Sequence, residues 1–176
     1  MKQQIIVSGI GGQGVLLLTR VIAQAALSAG LPVLTSETHG MAQRGGSVLS
    51  TIKVGGFASP LIRAGQADVA LLLWADNLAV HRPLLKADGA LFINSASAPA
   101  GCGCDASALA GCGCDASALA RQIGPAVLAN LVLLGCALRQ QALFCDAAAC
   151  RAAIEQLVPA RLLAVNLQAL DAGLAG

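Results

Sequence analysis

The chain has 176 residues, a length suited to one domain spanning 1–176. It is 56% hydrophobic and only 11% charged, so it has little polar surface to cover itself, which fits a surface covered by a partner; its abundant alanine offers the blander explanation. A formal net charge of +2 and 2% aromatic residues exclude a nucleic-acid footprint, since there is neither a basic run nor a stacking platform.

Met1 to Gln4 is polar, and the apolar run Ile5-Ile6-Val7 ends at Ser8-Gly9 before a signal-peptide core can form, so a cytoplasmic location is expected. Ile5 to Val7 reads as a buried strand, Ser8 to Gly14 as a glycine-rich turn and Val15 to Ala29 as a helix. Leu16, Ala23 and Leu27 are expected on the inner face of that helix, with Gly30 at its C-terminal cap. Val33 to Thr35 is a second strand, which completes a strand–loop–helix–strand unit and predicts the start of a parallel sheet. After a polar stretch, the β-branched Ser47 to Val54 is a third strand. Ala67 to Trp74 reads as a central strand covered on both faces. Asp76 is placed to cap a helix carrying Leu78, Leu84 and Leu85, interrupted by Pro83; a turn at Asp88-Gly89 then leads into a strand from Ala90 to Ile93.

The ten residues GCGCDASALA, Gly101 to Ala110, recur without change at Gly111 to Ala120. Beyond them a helix is expected from Pro125 to Gln140; as an apolar stretch it is too short to span a membrane and contains Asn130. A second helix, capped by Asp146, carries Cys150, Ile154 and Val158 at four-residue spacing, and a last one starts at Pro159 and ends near Gly173. These elements predict a three-layer α/β/α domain with a mostly parallel central sheet, a Rossmann-like start and a helical C-terminal third.

Two loops concentrate the polar chemistry. In the first, Gly9, Gly11 and Gly14 match part of a G-x-G-x-x-G spacing, with Gly12 and Gln13 between them. Glycines there permit positive φ and close backbone approach, and a helix start exposes N–H groups to an anion. Three readings stay open: a dinucleotide site with Glu37 on the ribose, a phosphate or coenzyme contact, or a tight turn that lets helix and sheet pack. The second loop gathers Glu37, His39, Gln43 and Arg44, followed by Gly45 and Gly46. Because it follows a strand it should lie on the same rim as the first, where open α/β sheets bind ligands. Arg44 suits a phosphate or carboxylate and His39 a proton transfer; the competing reading is a subunit contact with Arg44 paired to Glu37. No nucleophile–base arrangement is visible, so no catalytic residue is assigned.

GIGGQGVLLLTRVIAQAA (Gly9 to Ala26) followed by TSETHGMAQRGGSV (Thr35 to Val48) closely resembles the gamma-type domain of 2-oxoacid:acceptor oxidoreductases, in the form found in the small (beta) subunit of indolepyruvate:ferredoxin oxidoreductases. Ser59 to Ile62, Ala67 to Leu73, the DASALA block, Ala129 to Gly135 and Val165 to Gly173 also fall where that family's pattern expects them. The resemblance implies an enzyme subunit: an aryl-2-oxoacid is decarboxylated on thiamine diphosphate, electrons leave through iron–sulfur clusters to ferredoxin, and the acyl group passes to coenzyme A. It also implies that the thiamine and the clusters belong to a large (alpha) subunit, with which this chain forms a hetero-oligomer away from membranes. Residues Gly9, Gly11, Gly12, Gln13, Gly14, His39, Gln43, Arg44, Gly45 and Gly46 would then face coenzyme A or the partner, and this chain would hold no cofactor of its own. The alternatives are a stand-alone coenzyme- or nucleotide-binding module and a purely structural subunit.

The chain departs from the family at the doubled decapeptide. One copy is expected to supply the family's strand and helix start, the other to be an inserted loop. Cys102, Cys104, Cys112 and Cys114 form C-x-C…C-x-C, a set able to hold zinc or a cluster, although a perfect duplication also fits sequence slippage, and no metal site is assigned. Cys136, Cys145 and Cys150 read as core residues. Seven cysteines without a secretory signal argue against a disulfide framework.

Overall fold

The structure is a computed structural model that describes residues 1–40, 46–96 and 113–176. Five strands, β1 (Gln3–Ile10), β2 (Val33–His39), β3 (Ser47–Val54), β4 (Ala67–Leu72) and β5 (Leu85–Ile93), form one sheet in the order β2-β3-β1-β4-β5. β1, β4 and β5 pair in parallel, whereas β3 runs antiparallel to both β1 and β2. Four of the five strands therefore share a direction, and the α/β fold is the one expected.

The first crossover differs from expectation. β2 does not pair with β1; it forms a hairpin with β3, which fills the position beside β1. Val48, Ile52 and Val54 are buried on β3, so this strand suits an interior position better than the polar sequence of β2, now at the sheet edge. β2 also runs on to His39, which places Glu37 within an exposed edge strand opposite Ser50. A dinucleotide fold needs that acid beyond the end of a strand adjacent to β1, so the ribose role drawn for Glu37 is not supported by the geometry.

Helix α1 (Val15–Ser28) buries Val15, Leu18, Val21, Ile22, Ala25 and Ala26 and leaves Leu27 56% exposed. The expected Leu16–Ala23–Leu27 stripe is rotated away from the sheet, because so many positions are apolar that several stripes satisfy the helical period. Gly30, at φ +70°, follows the helix and donates its N–H to Leu27 O at 2.9 Å. α1, α3 (Ala116–Ile123), α4 (Ala129–Arg139), α5 (Ala147–Leu157) and α6 (Ala160–Ala175) all contribute to the core that includes Ile5, Val7, Val69, Leu71 and Phe92. Asp146 caps α5 by accepting the N–H of Ala149 at 2.9 Å, and Cys150 and Ile154 are fully buried, as their spacing predicted. α4 and α6 cross at Gly135 and Gly173; a Cβ on Gly173 would lie 2.0 Å from Val132 O, so only glycine admits this approach. α6 ends at Ala175, close to the stop expected near Gly173, and that glycine serves the crossing.

On the opposite face Ile6, Ala70, Leu72, Leu91 and Ile93 are covered by Ile62 and by Leu78 of the short helix α2 (Leu78–His81). The single longer helix expected here is divided by 3₁₀ turns at 75–77 and 82–84, and Leu85 already opens β5. Asp88-Gly89 lies within β5, where the register against β4 shifts, and does not form a separate turn. Among the described residues no helix is long and apolar enough to cross a membrane.

Candidate functional site

The glycine-rich loop joins the carboxyl end of β1 to α1, and its four glycines do different work. At Gly9 a Cβ would lie 2.7 Å from Gln13 Oε1 and 3.0 Å from Val15 Cγ2, so this glycine lets the loop fold over the strand end. Gly14 takes φ +76°, and a Cβ there would lie 2.3 Å from Asn130 Nδ2. That amide, on α4, donates to Gly14 O at 3.1 Å and pins the start of α1 to the helical layer. Gly11 and Gly12 are exposed, and nothing lies within 4 Å of where a Cβ on Gly12 would sit. Tight packing thus accounts for Gly9 and Gly14, while Gly11 and Gly12 present bare backbone outward.

Gln13 ties the loop to the next strand. Its Oε1 accepts the N–H of Ile10 at 2.9 Å and its Nε2 donates to Leu73 O at 3.3 Å. The side chain therefore spans the ends of β1 and β4. These two strands are the switch point of the sheet: α1 leaves β1 over one face and α2 follows β4 over the other. Crevices at such points are where open α/β sheets take ligands.

The two expected loops meet on this rim. The N–H of Gly11 donates to Gly46 O at 3.2 Å, and the N–H of Gly40 donates to Ser47 O at 2.8 Å, closing the base of the β2–β3 hairpin. His39 is the last residue of β2, in register with Val48. Gln43, Arg44 and Gly45 lie outside the described residues, as do Cys102, Cys104, Cys112 and the first copy of the decapeptide.

An open pocket of about 340 Å³ sits on the glycine loop, lined by Ile10, Gly11, Gly12, Val15, Val48 and Val127. Its walls are apolar side chains and peptide backbone. A second, more polar pocket of about 340 Å³ lies across Gln13, with Trp74, Asp76, Asn94, Asp115 and Arg121 in its lining. Behind it, Asn94 donates to Leu73 O at 3.2 Å and to Ser117 Oγ at 2.8 Å and accepts the N–H of Ser117 at 3.0 Å. Asn77 similarly donates to Ser8 Oγ at 2.8 Å and Gly9 O at 3.2 Å. Sequence reasoning missed this second half of the rim; the signal was the polar pair Asp76-Asn77 soon after a buried strand.

The second decapeptide copy supplies the expected strand contact and helix start. Cys114 bridges Asn94 in parallel, and Asp115 caps α3 by accepting the N–H of Ala118 at 2.8 Å. The four described thiols stand as two pairs, Cys114 with Cys136 and Cys145 with Cys150. Among the described residues no group of three or more His, Cys, Asp or Glu side chains is placed to hold a metal.

Comparison with known proteins agrees over the whole fold. A family described as pyruvate ferredoxin/flavodoxin oxidoreductase matches residues 4–176. The indolepyruvate oxidoreductase subunit IorB of Archaeoglobus fulgidus is 53% identical over 73 residues, which are 42% of this chain and 36% of that relative's length. The gamma subunit of a keto/oxoacid ferredoxin oxidoreductase from Geobacter sulfurreducens superposes with a TM-score of 0.77 at 26% identity, covering 99% of each chain. The fold is also shared, at 20% identity and a TM-score of 0.81, by a 2-oxoglutarate:ferredoxin oxidoreductase from Magnetococcus marinus solved with 2-oxoglutarate, coenzyme A and succinyl-CoA; the match covers 99% of this chain and 30% of that one. With the family match extending over nearly every residue, this chain belongs to the pyruvate ferredoxin/flavodoxin oxidoreductase family.

Proposed function

We propose that this chain is the small subunit of an indolepyruvate-type 2-oxoacid:ferredoxin oxidoreductase. A large subunit carries thiamine diphosphate and the iron–sulfur clusters, and the assembled enzyme converts an aryl-2-oxoacid to its acyl-CoA while reducing ferredoxin in the cytoplasm. The observation that carries this reading is the Gly11–Gly46 hydrogen bond, which joins the two family loops into one rim over an apolar pocket. Among its described residues the rim presents Gly11 and Gly12 backbone outward, a surface suited to contact and positioning. His39, at the end of β2, and Gln43, Arg44 and Gly45, which follow it in sequence, are assigned to the coenzyme A or partner contact with it. The likeness to an IorB subunit supports the substrate class, and the coenzyme A held by a protein of the same fold supports the co-substrate.

The test is co-expression with a thiamine-binding, cluster-bearing large subunit, followed by an assay of indolepyruvate- and coenzyme A-dependent reduction of a viologen dye. The pair should co-purify and turn over, while this chain alone should be inactive. A chain that binds no large subunit and remains a soluble monomer would favour the stand-alone coenzyme-binding module instead.

A further inference from the structure

We propose that Cys114 and Cys136 form a reversible thiol–disulfide site that reacts with hydroperoxides and staples the β5–α3 connection to helix α4. Cys136 is 3% exposed on α4, and Cys114 is half-buried at the entry to α3. Their sulfurs stand 2.9 Å apart, with Cys136 donating to Cys114. Closure to a bond of about 2.05 Å asks for a sulfur displacement of under about 1 Å. Cys114 is held on both sides by backbone: its N–H donates to Ile93 O at 2.9 Å, and its carbonyl accepts the N–H of Ser95 at 3.0 Å. Its sulfur is thus aimed at α4 by the same contacts that extend the sheet.

The chemistry divides the roles. The hydrogen bond from Cys136 lowers the Cys114 thiol to about 7, and Arg139, three residues beyond Cys136 on α4, also favours its charged form. Cys136 is pushed the other way, by donating that bond and by burial, and remains a thiol. A thiolate of this kind is the attacking species. The Cys114 thiolate attacks the distal oxygen of a hydroperoxide, giving a sulfenic acid and an alkoxide that leaves as the alcohol once protonated. The Cys136 sulfur then displaces the hydroxyl as water, so two thiols and one hydroperoxide yield one disulfide, one alcohol and one water. A dithiol reverses the step. The Cys145–Cys150 pair, with sulfurs 3.6 Å apart, lies farther from bonding distance and offers an internal control.

Tryptic mapping tests this on the whole chain. Cleavage after Lys86, Arg121 and Arg139 leaves Cys136 as the sole thiol of peptide 122–139, while Cys114 lies in peptide 87–121 with Cys102, Cys104 and Cys112. After one equivalent of hydrogen peroxide and alkylation, a cross-link between these peptides, 2 Da lighter than their sum (about two hydrogens lost, as two thiols form one disulfide), is expected as the main product and should vanish on addition of dithiothreitol. It should persist in Cys112→Ser and disappear in Cys114→Ser, a change at a half-buried position that leaves the core intact. A cross-link that survives Cys114→Ser, or oxidation that goes first to Cys145–Cys150 in peptide 140–151, would overturn the proposal.

Discussion

The two faces of the sheet are built on different terms. On one, the long helices close over Ile5, Val7, Ile52, Val69, Leu71 and Phe92, and α4 and α6 meet backbone to backbone at Gly135 and Gly173. On the other, a single short helix and an irregular stretch cover Ile6, Leu72, Leu91 and Ile93, with Leu61 66% and Val80 69% exposed. Both faces bury polar groups, Thr19, Asn130 and Asn166 among the long helices. The thin face holds Asn77, bonded to the strand end, and His81, whose Nε2 has no hydrogen-bond partner among the described residues. Stability resides mainly in the helical side. The rim hangs from both sides, with Asn130 reaching it from α4 and Asn77 from the turn that precedes α2.

The largest effect expected from this asymmetry is at the helix crossing. Gly173→Val would drive side-chain atoms into the Val132 carbonyl and should cost about 3 kcal/mol or more in urea unfolding, because backbone cannot yield as a side chain does. Leu78→Ala on the thin face removes a comparable apolar volume with solvent close by, and about 2 kcal/mol is expected. If Leu78→Ala proved the costlier of the two, the division between the faces would be wrong.

A smaller, pH-dependent effect belongs to His81. Burial lowers its pKa below the ordinary 6.5 and favours the neutral ring. Below pH 6.5 the unfolded chain therefore binds the proton first, and stability should fall as the pH drops from 6.5 through the lower folded value. His81→Gln should remove that part of the slope in unfolding measurements; a slope unchanged by the substitution would mean that His81 is protonated alike in both states. The smallest effect is at the ion pair between Arg151 and Asp171, which links α5 to α6 at the surface. Both side chains are well exposed, so Arg151→Met should shift stability by less than about 1 kcal/mol. A larger loss would mean that helix–helix contact depends on surface charge as well as on the buried core.

Much of this architecture was legible in the sequence. Strand cores at Ile5–Val7, Ser47–Val54 and Ala90–Ile93 stood out because burial on both faces demands unbroken apolar or β-branched runs, and the Asp146 cap was visible because a short polar side chain precedes a spaced apolar stripe. What sequence reasoning lost was pairing. Nothing local to Val33–Thr35 tells whether that strand joins β1 or turns back through β3, since this depends on which strand better tolerates burial. The stripe on α1 was misplaced by its own apolar richness. At the site, the pairing of two loops on one rim was foreseen, because both follow strands. The Asn94–Ser117 network and the second pocket were not, since they join residues 23 apart across the duplicated segment. Cys114 was legible only as one of four repeated cysteines; its partner on α4 is a tertiary fact.

We propose the joined glycine rim as the surface this chain offers to a large subunit and to coenzyme A. Hydrogen–deuterium exchange of the chain, alone and with the co-purified large subunit, measures this most directly. Peptides covering Gly9 to Leu17 and Gly46 to Leu49 should gain the strongest protection, with a further gain on adding coenzyme A. Protection confined to the exposed thin face around Leu61 and Val80, with the rim amides exchanging as freely as before, would contradict it.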